Sequence, residues 1–163
     1  MSSLTENHLL SVTGFGENDI FVGGAEGTML HFDGSQWEKM NLAGRYAVKN
    51  MWGSSPDNLY AVATDGVILH YDGNSWSRED TEKLPPMTGI FGLAKDEIYA
   101  CSRLGKILRY DGETWKYTKT GTDTDVTRLW GSKETGMYAV GFDGLILRQE
   151  GDREDVPELA PED

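Results

Sequence analysis

The stretch MWGSSPDNLYAVATDGVILHYDGNSW, Met51 to Trp76, decides how the chain reads. Its apolar runs are short, and each is closed by turn residues. Val48 to Trp52 predicts a strand closed by Gly53 and the cluster Ser54, Ser55, Pro56, Asp57 and Asn58. LYAVA, Leu59 to Ala63, is apolar throughout and rich in aromatic and β-branched types, which predicts a strand covered on both faces. Asp65 and Gly66 stop it. An Asp-Gly pair between two strand-like runs signals a hairpin, because a tight primed turn needs positive φ that glycine adopts cheaply. Val67 to Tyr71 forms the third run, Asp72 and Gly73 close it, and a fourth run begins at Trp76. So short a unit has no room for a crossover helix, so its strands pair antiparallel with their sequence neighbours.

The same unit occurs four times between Leu9 and Gly151 at a period of 39 residues, without insertion or deletion. Gly14, Gly53, Gly92 and Gly131 stand in register, as do Gly27, Gly66, Gly105 and Gly144, and Leu30, Leu69, Leu108 and Leu147. A fixed period of this length is the mark of a repeat architecture. A four-stranded sheet with two apolar faces cannot stand alone in water. Stacking such sheets around an axis covers the faces, and that arrangement is the β-propeller, with about four to eight blades. A sandwich explains the period poorly, since Greek-key connections vary in length. The expected fold is therefore all-β, a β-propeller of four antiparallel four-stranded blades of 39 residues, at 9–47, 48–86, 87–125 and 126–157. An N-terminal extension, 1–8, precedes them and an acidic tail, 158–163, follows.

Met51 to Trp76 and LWGSKETGMYAVGFDGLILRQEG, Leu129 to Gly151, resemble a bacterial β-propeller repeat with a WGSS-type turn, a YAVG-type strand and an ILHYDGxxW hairpin. The resemblance covers nearly the whole chain and implies a fold, since propellers serve many purposes. A more distant likeness is to the Asp-box of sialidase-type propellers. Asp33, Asp72 and Asp111 directly precede Gly34, Gly73 and Gly112, with Trp37, Trp76 and Trp115 at plus four. That spacing is one residue short, so the aspartates read as structural turn residues and sialidase activity does not transfer with them.

The end copies depart from the pattern. Thr13 stands where the other copies have Trp52, Phe91 and Trp130, and Glu154 stands in the column of Trp37, Trp76 and Trp115. The last strand would be the proline-bearing segment 153–157, a blunted edge. Repeats of about 40 to 45 residues usually build larger rings, so four compact blades are expected to form only part of a circle. Self-association into an eight-bladed homodimer is the leading expectation, because it buries two apolar blade faces per chain. A closed four-bladed ring is the alternative.

The chain carries 27 acidic against 15 basic residues, a net charge of −12, and Glu150 to Asp163 holds seven carboxylates and one arginine. The final segment reads as a disordered solubilising tail, and the field repels nucleic acid and anionic membrane. Neither a signal peptide nor a membrane-spanning apolar run is visible, and the single cysteine, Cys101, suits a reducing compartment. The expected location is the cytoplasm.

Cys101 sits in an apolar column with Gly23, Val62 and Val140 and reads as a buried small hydrophobe. His31, His70, Arg109 and Arg148 share a column. Two arginines are the wrong ligands for a metal, so hydrogen bonding or ion pairing to the adjacent blade or to Asp33, Asp72, Asp111 and Glu150 is expected. Thr120 to Thr127 resembles the start of a calcium loop but lacks its glycine and distal glutamate. No nucleophile elbow or phosphate loop occurs, and no catalytic residue, metal or cofactor is expected.

The copies differ most in their connections, Asn41 to Ala47, Asp80 to Pro86 and Lys119 to Asp125, which share a face with the turns bearing Glu26, Asp65, Leu104 and Asp143. Variable loops on a constant scaffold are where function belongs. Arg45, Tyr46, Lys83, Leu84 and Pro85 are the candidate partner-binding residues there, with Arg128 in the innermost strand of its copy. The expected function is non-catalytic recognition of another protein. A carbohydrate-binding propeller, with Trp52 and Trp130 stacking on sugars, is the alternative, and a sialidase-like hydrolase is a third.

Overall fold

The computed structural model describes residues 4–42, 44–81, 83–150 and 158–161. The chain falls into two compact units, Met1–Leu84 and Pro85–Asp163, each holding two antiparallel four-stranded sheets. In unit 1 the first sheet is β1 (Leu9–Gly14), β2 (Ile20–Gly24), β3 (Met29–Phe32) and β4 (Trp37–Lys39), and the second is β5 (Val48–Ser55), β6 (Asn58–Ala63), β7 (Val67–Tyr71) and β8 (Trp76–Arg78). Unit 2 has a third sheet of β9 (Met87–Ala94), β10 (Glu97–Ser102), β11 (Ile107–Tyr110) and β12 (Trp115–Thr118). Its fourth sheet is β13 (Val126–Ser132), β14 (Gly136–Gly141), β15 (Ile146–Glu150) and β16 (Glu158–Pro161). Every sheet is a meander in sequence order.

Within each unit the sheets approach most closely at their first strands, β1 to β5 and β9 to β13. Burial follows the alternation of the pleat on both faces. All five residues from Leu59 to Ala63 are buried, as the apolar run predicts for a strand with no solvent face. Phe21 and Met29 of the first sheet pack with Val48, Met51 and Leu59 of the second in one core, and Tyr99 and Cys101 of the third pack with Leu129 and Met137 of the fourth in another.

Two boundaries differ from the sequence reading. Gly53 does not end the strand that begins at Val48; β5 runs on to Ser55 with a register irregularity between Gly53 and Ser55, so only Pro56 and Asp57 form the turn. A bulge lets the strand absorb the turn-forming residues and keep pairing. The last strand is Glu158–Pro161, paired on β15 from Glu150 opposite Glu158 to Leu147 opposite Pro161. The sequence reading had placed this strand at 153–157, which lies outside the described residues, and had begun the tail at 158. An outermost strand tolerates proline because one side of it has no ladder to feed. Among the described residues no helix is long and apolar enough to cross a membrane.

The aspartates of the DGxxW hairpins behave as turn residues. Asp33 Oδ1 accepts from the backbone N–H groups of Ser35 and Gln36 at 2.8 Å each, and Asp72 and Asp111 do the same for Asn74 and Ser75 and for Glu113 and Thr114. Tyr71 and Tyr110 pack on Trp76 and Trp115 across these hairpins, and their hydroxyls donate to the Gly73 and Gly112 carbonyls at 2.9 Å. The accepted N–H bonds hold Asp33 and Asp72 below their ordinary pKa of 3.8, through Gln36 and Ser75 first. Lys116 does most to lower Asp111, ahead of Thr114 and Glu113. A carboxylate with a depressed folded pKa stabilises fully above its unfolded value and loses that contribution as pH falls through the folded one. The thermal midpoint should therefore drop as pH falls below about 4, and Asn at positions 33, 72 and 111 together should flatten that drop. An identical acid slope in the triple variant would show that the turns do not titrate with folding.

Candidate functional site

Each sheet joins its second and third strands by a turn with two successive positive φ residues: Glu26 and Gly27, Asp65 and Gly66, Leu104 and Gly105, Asp143 and Gly144. This is the primed geometry that the Asp-Gly pair predicts. The glycine of the pair is required for a second reason. A Cβ on Gly66 would collide with the Leu84 carbonyl oxygen, and one on Gly105 with that of Thr122, because the outgoing connection lies directly over the turn.

The first position of the pair is acidic in three copies and leucine in the third. Leu104 has φ of 59° and is 59% exposed. A bulky L-residue in the left-handed region costs roughly 1–2 kcal/mol, and solvent returns nothing for the exposed isobutyl group. Uncompensated strain of this kind is a pointer to function. The backbone is nonetheless pinned there: Leu104 N–H donates to Asp125 Oδ1 at 2.8 Å, and the Thr120 hydroxyl donates to the Gly105 carbonyl at 2.7 Å.

Beside this corner lies a groove of about 590 Å³ lined by Lys106, Tyr117, Thr118, Lys119, Thr120 and Asp123, among others. Tyr117, Lys106 and Lys119 are exposed, while Thr118 is buried and its hydroxyl has no hydrogen-bond partner among the described residues. A buried hydroxyl left unpaired is costly. Apolar, aromatic and cationic groups thus meet at this corner of a protein that is otherwise strongly acidic.

The residues singled out from the sequence are distributed differently. In unit 1, Arg45 is exposed and Tyr46 is half-buried against the core, where its carbonyl accepts from Gly27 N–H at 3.0 Å. Lys83 is exposed. Leu84 is buried against the Gly66 turn, so its side chain offers nothing to a partner. In unit 2, Pro85 is half-buried and Arg128 is exposed, with its guanidinium donating to the Thr127 and Thr88 carbonyls at 2.7 and 3.3 Å. Lys106, Tyr117 and Thr118 had escaped notice, and Lys119 had entered only as the start of a variable connection. The signal that could have found them was Leu104, the one apolar member of an acidic column.

No protein-family model matches the chain, and no curated protein matches it. Solved structures do. YCF48 from Cyanidioschyzon merolae is similar at a TM-score of 0.72 and 16% identity over 99% of this chain and 59% of that one. A structure titled YCF48 bound to D1 peptide gives 0.71 and 20% over 100% and 56%. The WD40 repeats of RRP9 give 0.74 and 14% over 95% and 51%. The chain has a β-propeller fold. It spans between half and three fifths of the length of these similar chains.

In propeller terms the His/Arg column is a blade-internal device. His31 Nε2 lies 3.1 Å from Asp19 Oδ1, His70 Nε2 lies 2.8 Å from Asn58 Oδ1, and Arg109 lies 4.0 Å from Glu97. Asp19, Asn58 and Glu97 are one column, and each basic group also faces the aromatic column: His31 stacks on Phe21, His70 on Tyr60, and Arg148 lies over Tyr138. These partners replace the expected Asp33, Asp72 and Asp111, whose oxygens serve their own turns. Among the described residues no three His, Cys, Asp or Glu side chains come together as metal ligands.

Cys101 is fully buried, with the Thr88 hydroxyl 3.4 Å from Sγ. Burial outweighs that contact and pushes its thiol pKa up to about 11. A thiol so protonated and enclosed is unreactive. Iodoacetamide should label Cys101 only at the rate of global unfolding and label it fast in denaturant; rapid labelling of the native protein would contradict this placement.

Proposed function

We propose that the protein is a non-catalytic interaction propeller that binds a peptide segment of another protein at the Leu104 corner and its adjoining groove. The exposed leucine held at positive φ carries this reading, because the fold has no use for it. Leu104 and Tyr117 supply apolar contact, and Lys106 and Lys119 attract carboxylates. The expected ligand is an extended segment with an apolar anchor beside Asp or Glu. The similar YCF48 fold bound to a D1 peptide supports peptide recognition as a use of such blades. The WGSS, YAVG and ILHYDGxxW patterns place the chain, on this reading, with the bacterial propeller repeats they resemble.

Trp130 keeps a carbohydrate reading open, since it is exposed, whereas Trp52 is only half so. The sialidase-like reading has Arg128 alone, and its guanidinium is engaged by backbone carbonyls.

A random peptide display library panned on the protein should enrich acidic segments with an apolar anchor. Their affinity should fall with salt and by about tenfold in Leu104→Asn, one contact of about 1.4 kcal/mol. The same variant should be more stable by about 1 kcal/mol, since asparagine tolerates this φ. Stabilisation with unchanged peptide affinity would clear Leu104 of a binding role. Absence of any enriched motif would overturn the reading, and a glycan array that lights up only with Trp130 intact would install its rival.

A further inference from the structure

Residues one repeat apart occupy the same place in successive sheets, so the covering of each face can be followed column by column. In unit 2, Tyr99, Cys101 and Ile107 of the third sheet are buried in a core shared with the fourth. One repeat on, the same columns hold Tyr138, Val140 and Ile146 of the fourth sheet. There Val140 is 43% and Ile146 48% exposed, next to Trp130 at 58%. The mating half shows the reverse. Val48 and Met51 of the second sheet are buried against the first in unit 1, yet one repeat back their columns hold Leu9 and Val12, exposed at 50% and 69%. The first and fourth sheets thus each carry one uncovered half of the interface that the chain builds between its sheets.

We propose that a second copy of the chain covers both: the fourth-sheet face of each copy packs on the first-sheet face of the other, closing an eight-bladed ring. The internal interface supplies the contacts. Gly23 lies directly against Val48 and Met51, with room for no Cβ; carried forward three repeats, Val140 of one copy meets Leu9 and Val12 of the other. The Thr88 hydroxyl reaches the Cys101 carbonyl at 3.1 Å and the Val126 carbonyl of the next sheet at 2.7 Å. Thr127, its counterpart, already reaches the Val140 carbonyl at 3.1 Å and would find the Leu9 carbonyl of the second copy where Thr88 finds that of Val126. A head-to-tail pairing repeated twice closes on itself, and eight blades lie within the range that propellers adopt.

Sedimentation equilibrium on the full chain at micromolar concentration should return twice the 18.1 kDa chain mass. Dilution should raise acrylamide quenching of tryptophan fluorescence as Trp130 is uncovered. Val12→Asp and Val140→Asp should each be a folded monomer with a cooperative melt, and mixing the two should restore association, because one unmutated interface survives in the mixed pair. If Val140→Asp lacks a cooperative melt, Trp130→Arg replaces it, and Leu9→Arg likewise replaces Val12→Asp, so that each mixture still pairs one variant of each face. A wild-type monomer throughout would overturn the proposal in favour of closure by one chain. Growth in mass beyond two copies, or variants that remain dimeric, would overturn it as well.

Discussion

Everything in this structure depends on covering a four-stranded sheet that is apolar on both faces. Leu59, Ala61 and Ala63 point one way from β6 and Tyr60 and Val62 the other, and all are buried. Such a strand has no solvent side, so its sheet needs cover on both faces, and within each unit the chain supplies a packing partner by repeating itself. The fixed period follows from this. Each neighbour must present the same columns at the same height, and an inserted residue in a strand would turn its apolar side chains to the wrong face. Backbone hydrogen bonding inside a sheet is made within one repeat, which leaves apolar burial as the main term joining sheets, with the Thr88 hydroxyl and the Arg128 guanidinium adding hydrogen bonds between the third and fourth.

Against this scaffold the tight turns do two jobs. The hairpin aspartates satisfy their own backbone N–H groups at the outer rim and are spent there. In the first three sheets the left-handed turn after the second strand lies so close to the outgoing connection that only glycine fits the second position, which fixes the path of the connection and the groove beside it. Position 104 is then free to vary. A leucine there is less stable than its acidic counterparts, and the strain is tolerable because Asp125 and Thr120 hold the backbone from the connection above. Function on this account sits where the repeat can be broken without uncovering a sheet.

The strands, their antiparallel order and the primed turns were legible in the sequence because each rests on local chemistry: LYAVA has no polar face to show, and Asp-Gly needs positive φ. The β5 boundary was not, since pairing with β6 carries the strand through Gly53 and Ser54 against their turn propensity. The partners of His31 and His70 were missed for a geometric reason. β3 ends at Phe32 and β7 at Tyr71, so Asp33 and Asp72 belong to the turns, while Asp19 and Asn58, twelve residues upstream, come opposite through the meander. The site was only partly readable. Arg45, Tyr46, Lys83, Leu84 and Pro85 were chosen for lying in variable loops, but burial removes Leu84, and a groove made by Tyr117, Thr118 and Lys119 at the end of a strand leaves no linear pattern. Leu104 was visible as a broken column, and its meaning required its φ and its exposure.

The central claim is that identical columns have different energetic weight according to whether a sheet face is covered within the chain. Ile107 and Ile146 occupy one column, the first fully buried and the second half exposed. Chemical denaturation of Ile107→Asp and Ile146→Asp at high dilution measures the difference directly. The account predicts that Ile107→Asp loses several kcal/mol, as a buried unpaired charge must, and that Ile146→Asp stays within about 0.5 kcal/mol of the parent. Equal losses at the two positions would contradict it.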